Sequence, residues 1–321
     1  MVREKSRTFK EVGNAFDHCP KQNVKDEDRI IYKQIELPMS MKKKFLYISG
    51  ALLIVFSVSF VVNSYIELKE PGIIVLLYHG VTDNINNKSK YNVSVQQFEG
   101  HLDMIRKTNL KTILPREIFQ KNHFSNNDNI IILSFDDGTR DHYTSVFPRL
   151  KKHGMKGVFF VVTKYINSEV NLTDHQILEM FQNQMEIGSH SYSHPYMNDL
   201  SQGNLEYELE RSKKDLEAIL GSEIFSFAPP GGWFNQSVLS AAKKSGYKAF
   251  FSCEIGRTDI ESKPFLFRRI EVLNEMNDEE FQDLLNPPKI LKYKMQQDIK
   301  IMMKNIFGFR LYKLLGMYIF V

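Results

Sequence analysis

The sequence predicts an α/β protein whose strands form a distorted (β/α)7 barrel, preceded by one transmembrane helix. Short apolar runs alternate with amphipathic stretches along the chain, which favours a parallel sheet covered by helices. Several of these runs are apolar at successive positions, as in Asn-Ile-Ile-Ile-Leu before residue 134, and this is typical of strands buried on both faces. Near the N-terminus, one long run carries no charge at all.

The alternation predicts seven strands and four main helices, and seven strands favour a barrel over an open sheet. The strands are expected at Ile73–Tyr78, Ile130–Phe135, Gly157–Val162, Met185–Gly188, Ile224–Ala228, Tyr247–Cys253 and Phe267–Leu273. The helices are expected at 96–107, 174–183, 201–220 and 236–245, with Ser201 as an N-cap. In such barrels, polar side chains that follow the carboxyl ends of the strands form the site.

The uncharged run Phe45–Ile66 contains 22 residues, and roughly 20 are needed to cross a bilayer. A cleaved signal peptide or a buried core helix fits less well, because the run is long and lacks a small-residue cleavage site. Eleven Lys and Arg precede it and only Lys69 occurs in the twenty residues that follow, so the positive-inside rule places the N-terminus in the cytoplasm. We therefore expect a cytoplasmic tail (1–44), a signal-anchor (45–66), an extracellular main domain (67–286) and a basic amphipathic tail (287–321).

Two details of this organisation stay open from sequence. Met41, followed by three lysines, is a second natural start, so residues 1–40 are either a disordered tail or an over-extended gene start. The tail from Pro287 carries seven Lys and Arg against one Asp, mixed with apolar residues. It is either a helix that lies on an anionic membrane surface or a final helix that packs on the barrel.

Charge and cysteine content argue against a nucleic-acid-binding protein and against a fold held by disulfides. The formal net charge of +4 is small for 321 residues and forms no basic stripe in the central region, so we expect no nucleic-acid partner. The only cysteines, Cys19 and Cys253, are expected on opposite sides of the membrane and cannot pair within one chain. Cys253 is interpreted as a small buried apolar residue rather than a catalytic thiol.

Two predicted strand ends deliver residues that suit a metal. Asp136 and Asp137 follow the buried run that ends at Phe135, and two adjacent carboxylates there are costly without a cation or a proton. His190 and His194 follow another strand. Histidines four residues apart are expected on one helical turn, where their ring nitrogens can bind the same metal ion. Alone, each pair could be a solvated turn or surface histidines. Together, two histidines and one carboxylate predict a hydrolytic metal site with open positions for water.

A third strand end leads into the loop Phe227–Trp233, whose prolines and glycines expose backbone N–H groups. Pro230 and Gly231 are therefore candidates for an oxyanion-binding loop. Trp233, the only tryptophan, is a candidate to stack on a sugar ring, with a place in the core as the alternative.

In this order and at these intervals, Asp-Asp-Gly, His-Ser-x-x-His and the Pro-Pro-Gly loop resemble the polysaccharide deacetylase (NodB-homology) domain of carbohydrate esterase family 4. The resemblance covers about residues 70–275. It implies the distorted barrel, a zinc-type divalent metal bound by Asp137, His190 and His194, and Asp136 as the general base.

The sequence departs from the family pattern at two positions. Ala228 stands where the third motif usually begins with an arginine that orients the base, and Arg269 fits the arginine that a subgroup carries instead. No histidine follows His194 to act as the general acid. The segment Leu77–Val81 resembles the first strand of the biofilm poly-β-1,6-N-acetylglucosamine deacetylases, which implies His79 as the acid, with His142 as the runner-up.

The function expected from this resemblance is removal of N-acetyl groups from an extracellular polysaccharide that contains N-acetylglucosamine. The protein would be held at the cell membrane by residues 45–66. Two alternatives remain: an O-acetyl esterase acting on another glycan, and a non-catalytic carbohydrate-binding protein. The second is motivated by Ala228 and by the missing last histidine.

Overall fold

The computed structural model describes residues 39–69, 71–83, 89–120, 124–299 and 301–302. The chain divides into two compact units, Met1–Ile54 and Val55–Val321. The first unit is described only from Met39, where the first helix begins. The second unit contains every strand of the described chain.

The second unit is built on one parallel sheet. Its strands are β1 (Ile74–Tyr78), β2 (Lys111–Thr112), β3 (Ile130–Phe135), β4 (Val158–Val161), β5 (Glu186–Ser189), β6 (Ser226–Phe227), β7 (Ala249–Phe251), β8 (Leu266–Phe267) and β9 (Ile270–Glu271). The spatial order is β8-β7-β6-β5-β4-β3-β1-β9, and every named pair is parallel. The short strand β2 adds to the start of β3.

The two ends of this sheet are consecutive in the chain. Strand β8 pairs with β7 and strand β9 pairs with β1, yet only Arg268 and Arg269 separate β8 from β9. The two short strands therefore act as one broken seventh strand that brings the sheet round on itself. This confirms the predicted distorted (β/α)7 barrel, and it places the distortion at the two arginines.

Helix α1 (Met39–Lys69) precedes the sheet, and further helices cover the outside of the sheet. The covering helices are α2 (Val95–Lys107), α3 (Pro115–Gln120), α4 (Phe147–His153), α5 (Asp174–Gln182), α6 (Gln202–Leu220), α7 (Gln236–Lys244) and α8 (Asp278–Leu284). Ser201 caps α6 as predicted, because its hydroxyl accepts the backbone N–H of Asn204. Strands β1 and β3 are buried at every position, in agreement with their uninterrupted apolar sequences.

Helix α1 contains an apolar stretch, Leu46–Lys69, that is long enough to cross a membrane. Length and composition alone support this assignment, since a buried core helix or a signal sequence passes the same test. None of the window that meets the criterion is buried in the protein. The last turns differ, because Ser64 and Leu68 are buried within the second unit and the Ser64 hydroxyl donates to Asp298 at 2.7 Å. Contacts with the main domain thus begin inside the segment that the sequence assigns to the membrane.

The described start of the basic tail packs on the barrel. Residues 291–299 are helical, and Lys294 is only 4% exposed because its ammonium group lies 2.9 Å from both Glu67 and Asp298. Gln297 donates to the carbonyl of Cys253 at 2.6 Å. Most of the apolar and basic residues of the predicted membrane-surface helix lie at 303–321, outside the described residues.

Candidate active site

The candidate site lies where β1, β3, β5, β6 and the broken seventh strand end. Strand β3 stops at Phe135, and the next three residues turn sharply, with φ of 80° at Asp137 and 68° at Gly138. A left-handed conformation is uncommon for a residue other than glycine. The side-chain amide of Asn171 donates to the carbonyls of Asp137 and Gly138 and so holds the turn.

The two histidines lie on a loop, and the expectation of a helical turn is wrong. His190 follows strand β5, and Ser191 and His194 both adopt left-handed backbone conformations, with φ of 67° and 63°. The loop is held from α6, where the buried carboxylate of Glu208 accepts the backbone N–H and the hydroxyl of Ser193 at 2.8 and 2.6 Å. Local spacing gave no sign of this anchor, because it comes from a residue fifteen positions away.

The loop nevertheless brings both rings to Asp137. The Nε2 atoms of His190 and His194 lie 3.5 and 3.4 Å from Asp137 Oδ1, and one ligand atom from each residue lies within 4.8 Å of the others. Among the described residues, this is the cluster with the geometry to hold a metal ion. His190 is buried, whereas His194 and Asp137 are open to solvent on one side.

Hydrogen bonding prepares His190 to be a ligand. Its Nδ1 lies 2.8 Å from the backbone carbonyl of Ala228, which can only accept, so Nδ1 carries the proton and the Nε2 lone pair faces Asp137. Burial is the largest effect on the pKa of His190 and lowers it, which favours the neutral imidazole that binds metals. The donor set and the fixed tautomer therefore fit a divalent metal such as zinc.

Asp136 lies beside this cluster and is paired with Arg269. Both carboxylate oxygens receive a guanidinium hydrogen bond, at 2.6 and 2.9 Å, and both side chains are almost completely buried. Burial acts to raise the pKa of Asp136 and is the largest effect, but the charge and the hydrogen bonds of Arg269 act against it, and the pKa is lowered. Asp136 Oδ2 also lies 4.0 Å from His190 Nε2, so the ionised carboxylate faces the cluster.

Arg269 is fixed by the closure of the barrel. It lies in the break between β8 and β9, and its Nε donates to the carbonyl of Ser252 at 2.9 Å. Its guanidinium group also lies over the ring of Phe160, 5.6 Å from the centroid. Ala228, which stands where the family pattern has an arginine, is buried and contributes only its backbone carbonyl to the site.

His79 and His142 have different surroundings. His79 follows β1, and its Nδ1 lies 3.9 Å from Glu271. His142 is fully buried against Phe135 and Phe159, and its Nε2 donates to the backbone carbonyl of His79 at 2.9 Å. His142 therefore supports the backbone that carries His79 and is itself closed to solvent.

The Pro-Pro-Gly loop borders a cavity of about 700 Å³ whose wall includes Arg269, the partner of Asp136. Gly231 is exposed and left-handed, and Trp233 is half-buried in the cavity wall together with Arg269 and Asn198. Pro230 is buried and fixes the start of the turn. Cys253, also in the wall, has a pKa raised to about 12 by burial, which agrees with its interpretation as an unreactive thiol.

A parallel α/β barrel with one cluster suited to a divalent metal, at the carboxyl ends of its strands, defines the class of this protein. Residues 124–250 match the family model described as polysaccharide deacetylase. The chain is 27% identical, over 68% of its length and 78% of the relative, to YxkH of Bacillus subtilis, which is named provisionally as a polysaccharide deacetylase. It is also 32% identical to a peptidoglycan-N-acetylglucosamine deacetylase of Bacillus cereus, over 38% of the chain and a little over half (56%) of that relative.

Among solved structures, the Streptococcus pyogenes deacetylase PplD, in complex with acetate, superposes with a TM-score of 0.61 at 25% identity. The match covers 67% of this chain and 98% of PplD. These matches confirm the resemblance to the polysaccharide deacetylase family that the motifs carry. Members of this family are deacetylating hydrolases that generally use a divalent metal.

The buried pair of Asp136 and Arg269 generates a stability prediction. Replacing Arg269 with Leu leaves a buried carboxylate without its partner, so we expect the free energy of unfolding to fall by about 3–5 kcal/mol in urea titrations. Arg268→Leu is the matched control, since that side chain is about a third exposed and lies 3.6–3.7 Å from Glu67 and Glu254. We expect it to cost about 0–1 kcal/mol. Equal effects of the two substitutions would contradict this account of the pair.

Proposed function

We propose that this chain is a metal-dependent N-deacetylase that acts on an extracellular polysaccharide containing N-acetylglucosamine. One observation carries the proposal: a buried, arginine-paired carboxylate, Asp136, faces the cluster of Asp137, His190 and His194. A ligand set and a separate ionised base, side by side, suit the activation of water against an acyl group. The match of residues 124–250 to the polysaccharide deacetylase family model supports the same chemistry.

In the proposed reaction, residues from the loops after several strands have separate roles. A divalent metal held by Asp137, His190 and His194 would polarise the acetamide carbonyl and make water more acidic. Asp136 accepts the proton of the water as the water oxygen bonds to the acetamide carbon, and Arg269 keeps the carboxylate ionised and oriented. The backbone N–H of Gly231 donates to the carbonyl oxygen as it gains negative charge.

His79 completes the reaction by protonating the nitrogen of the sugar. The C–N bond then breaks, and acetate and a free glucosamine unit leave. An amine is a poor leaving group without a proton, so an acid beside the base is needed more for an amide than for an ester. The charge of His79 acts on both Asp136 and Asp137, which supports its place at the reacting centre.

The cavity beside the site is proposed to hold neighbouring sugar units. Trp233 lines it next to Gly231, and an aromatic face there suits stacking on a pyranose ring. Because His79 stands where the biofilm-type deacetylases carry their acid, we propose a β-1,6-linked polymer over a β-1,4-linked one.

The proposed function is tested by acetate release from the zinc-loaded full chain. The substrates are β-1,6- and β-1,4-linked N-acetylglucosamine pentamers and an acetylated xylan. We expect acetate from the pentamers, faster from the β-1,6 form, and little from xylan. Release from xylan alone would identify an O-acetyl esterase, and no release from any substrate would favour a carbohydrate-binding protein.

Separate substitutions distinguish the base from the ligands. His194→Ala should lower zinc content, measured by atomic emission, together with acetate release, because the two remaining ligands bind weakly. Asp136→Asn should keep zinc near the wild-type amount and lower the rate by about 100-fold or more, since it removes only the base. Stoichiometric zinc in His194→Ala, or an active Asp136→Asn, would show that these roles are misassigned.

The apolar part of helix α1 is proposed to anchor the protein, with the catalytic domain outside the cell. The support is the length and composition of Leu46–Lys69 and the eleven basic residues before Phe45. We expect the full chain to stay in the membrane pellet after extraction with alkaline carbonate. We also expect the domain to be digested by protease added outside intact cells. Release by carbonate, or protection from protease, would count against the anchor or its orientation.

A further inference from the structure

A partly buried acid beside the site has no role in the reaction as described so far. Glu271 is the last residue of β9, in register with Leu77 on β1, two residues before His79. The parallel pairing therefore places its side chain next to the imidazole, with Oε1 3.9 Å from Nδ1. Both side chains are about one quarter exposed, so solvent screens the pair only in part.

The backbone and the ring of His79 each have a contact with another residue, whereas its Nδ1 faces Glu271. Its backbone carbonyl is held by the buried His142, and its ring packs against Tyr91 with centroids 5.1 Å apart. Its Nδ1 is buried and, in the described part of the chain, has no hydrogen-bond partner. A buried polar atom without a partner is uncommon, and the carboxylate of Glu271 is the acceptor that it faces.

We propose that Glu271 is a positioning residue for His79, whose carboxylate takes the Nδ1–H so that Nε2 presents the proton to the leaving nitrogen. A small rotation of either side chain, or one bridging water, closes the 3.9 Å gap to a hydrogen bond. The second nitrogen of a histidine is set by the bond that the first one makes. The proposal rests on the proposed function, in which His79 is the general acid.

The charges around the pair decide the direction of its pH dependence. Glu271 is faced by His79 and Lys90 beyond β1, Asp136 beyond β3, Cys253 beyond β7, and Arg269 and Tyr91. Burial is the largest effect on the pKa of Glu271 and raises it, against the lowering by His79, Lys90 and Arg269. While ionised, Glu271 favours the imidazolium form of His79. Removing the carboxylate should therefore move the alkaline limb of kcat/KM to lower pH.

The kinetic test uses the zinc-loaded full chain in detergent micelles with the pentamer substrate. Glu271→Gln should lower kcat about 10- to 100-fold, with KM within about twofold and zinc content unchanged. Its alkaline limb should move to lower pH, and Glu271→Asp should recover part of the loss. Glu279→Gln removes the same charge from an exposed position on α8, eight residues on and outside the cavity wall, and should leave kcat and the pH profile as in the wild type.

A second measurement does not depend on activity. With the ring nitrogens of histidine labelled with ¹⁵N, the NMR signals of His79, assigned by their absence in His79→Gln, should show the proton of the neutral ring on Nδ1 in the wild type and a smaller share of this tautomer in Glu271→Gln. Equal tautomer populations in both chains, or equal kinetics of Glu271→Gln and Glu279→Gln, would overturn the proposal. So would loss of the fold in both Glu271 variants, which would assign a structural role. If the wild type releases no acetate, the proposed function fails, and the tautomer measurement alone decides whether the pair exists.

Discussion

The ion pair of Asp136 with Arg269 is the interaction on which the rest of the site depends. A buried guanidinium group and a buried carboxylate are each costly alone, and here each supplies the other's charge and two hydrogen bonds. Arg269 sits where the seventh strand breaks, and it also binds the carbonyl that follows β7. One side chain thus joins the strand ends of β3 and β7 to the break that closes the barrel.

This arrangement explains why Ala228 is compatible with an intact site. The position of the third motif's usual arginine is in the loop after β6, where Ala228 stands, whereas here the arginine that pairs with Asp136 comes from the break between β8 and β9. The small side chain of Ala228 is completely buried, and its carbonyl fixes the tautomer of His190. The departure from the family pattern therefore moves the source of the arginine and keeps the carboxylate oriented.

The site also stores backbone strain that the surrounding structure offsets. Asp137, Ser191 and His194 are all left-handed, and such residues cost about 1–3 kcal/mol each. These left-handed conformations bring one candidate ligand atom from each of Asp137, His190 and His194 close together. A helix or a regular strand end would not do so with this spacing. Asn171 and Glu208 hold the two turns, and both act from outside the motifs. These two residues should therefore be as important for ligand geometry as the ligands' own sequence spacing.

The sequence predicted the elements that depend on local pattern and missed those that depend on distant contacts. Strand β3 was predicted to the residue, since its apolar run ends at the aspartate pair. The strand predicted at Phe267–Leu273 is broken at Arg268 and Arg269. The pairing of buried Arg269 with Asp136 replaces the sheet hydrogen bonds at these two positions. Strand propensity alone does not indicate that pairing. Helices α3, α4 and α8 were not predicted. The tie between His142 and His79 and the pairing of β9 with β1 both join residues more than sixty positions apart.

The two arginines in the break divide their contacts between the site and the chain that precedes the barrel. Arg269 points inward to Asp136, while Arg268 points outward and lies 3.6 Å from Glu67 in the last turn of α1. An exposed pair of this kind adds about 0–1 kcal/mol, so Arg268 contributes little to stability. Lys294 strengthens the same contact, because it is almost buried between Glu67 and Asp298. The end of α1 is thereby attached to the peptide next to the residue that orients the base. If α1 anchors the protein as proposed, its last turn is held to the catalytic domain through Glu67 and Arg268, one residue away from the partner of Asp136.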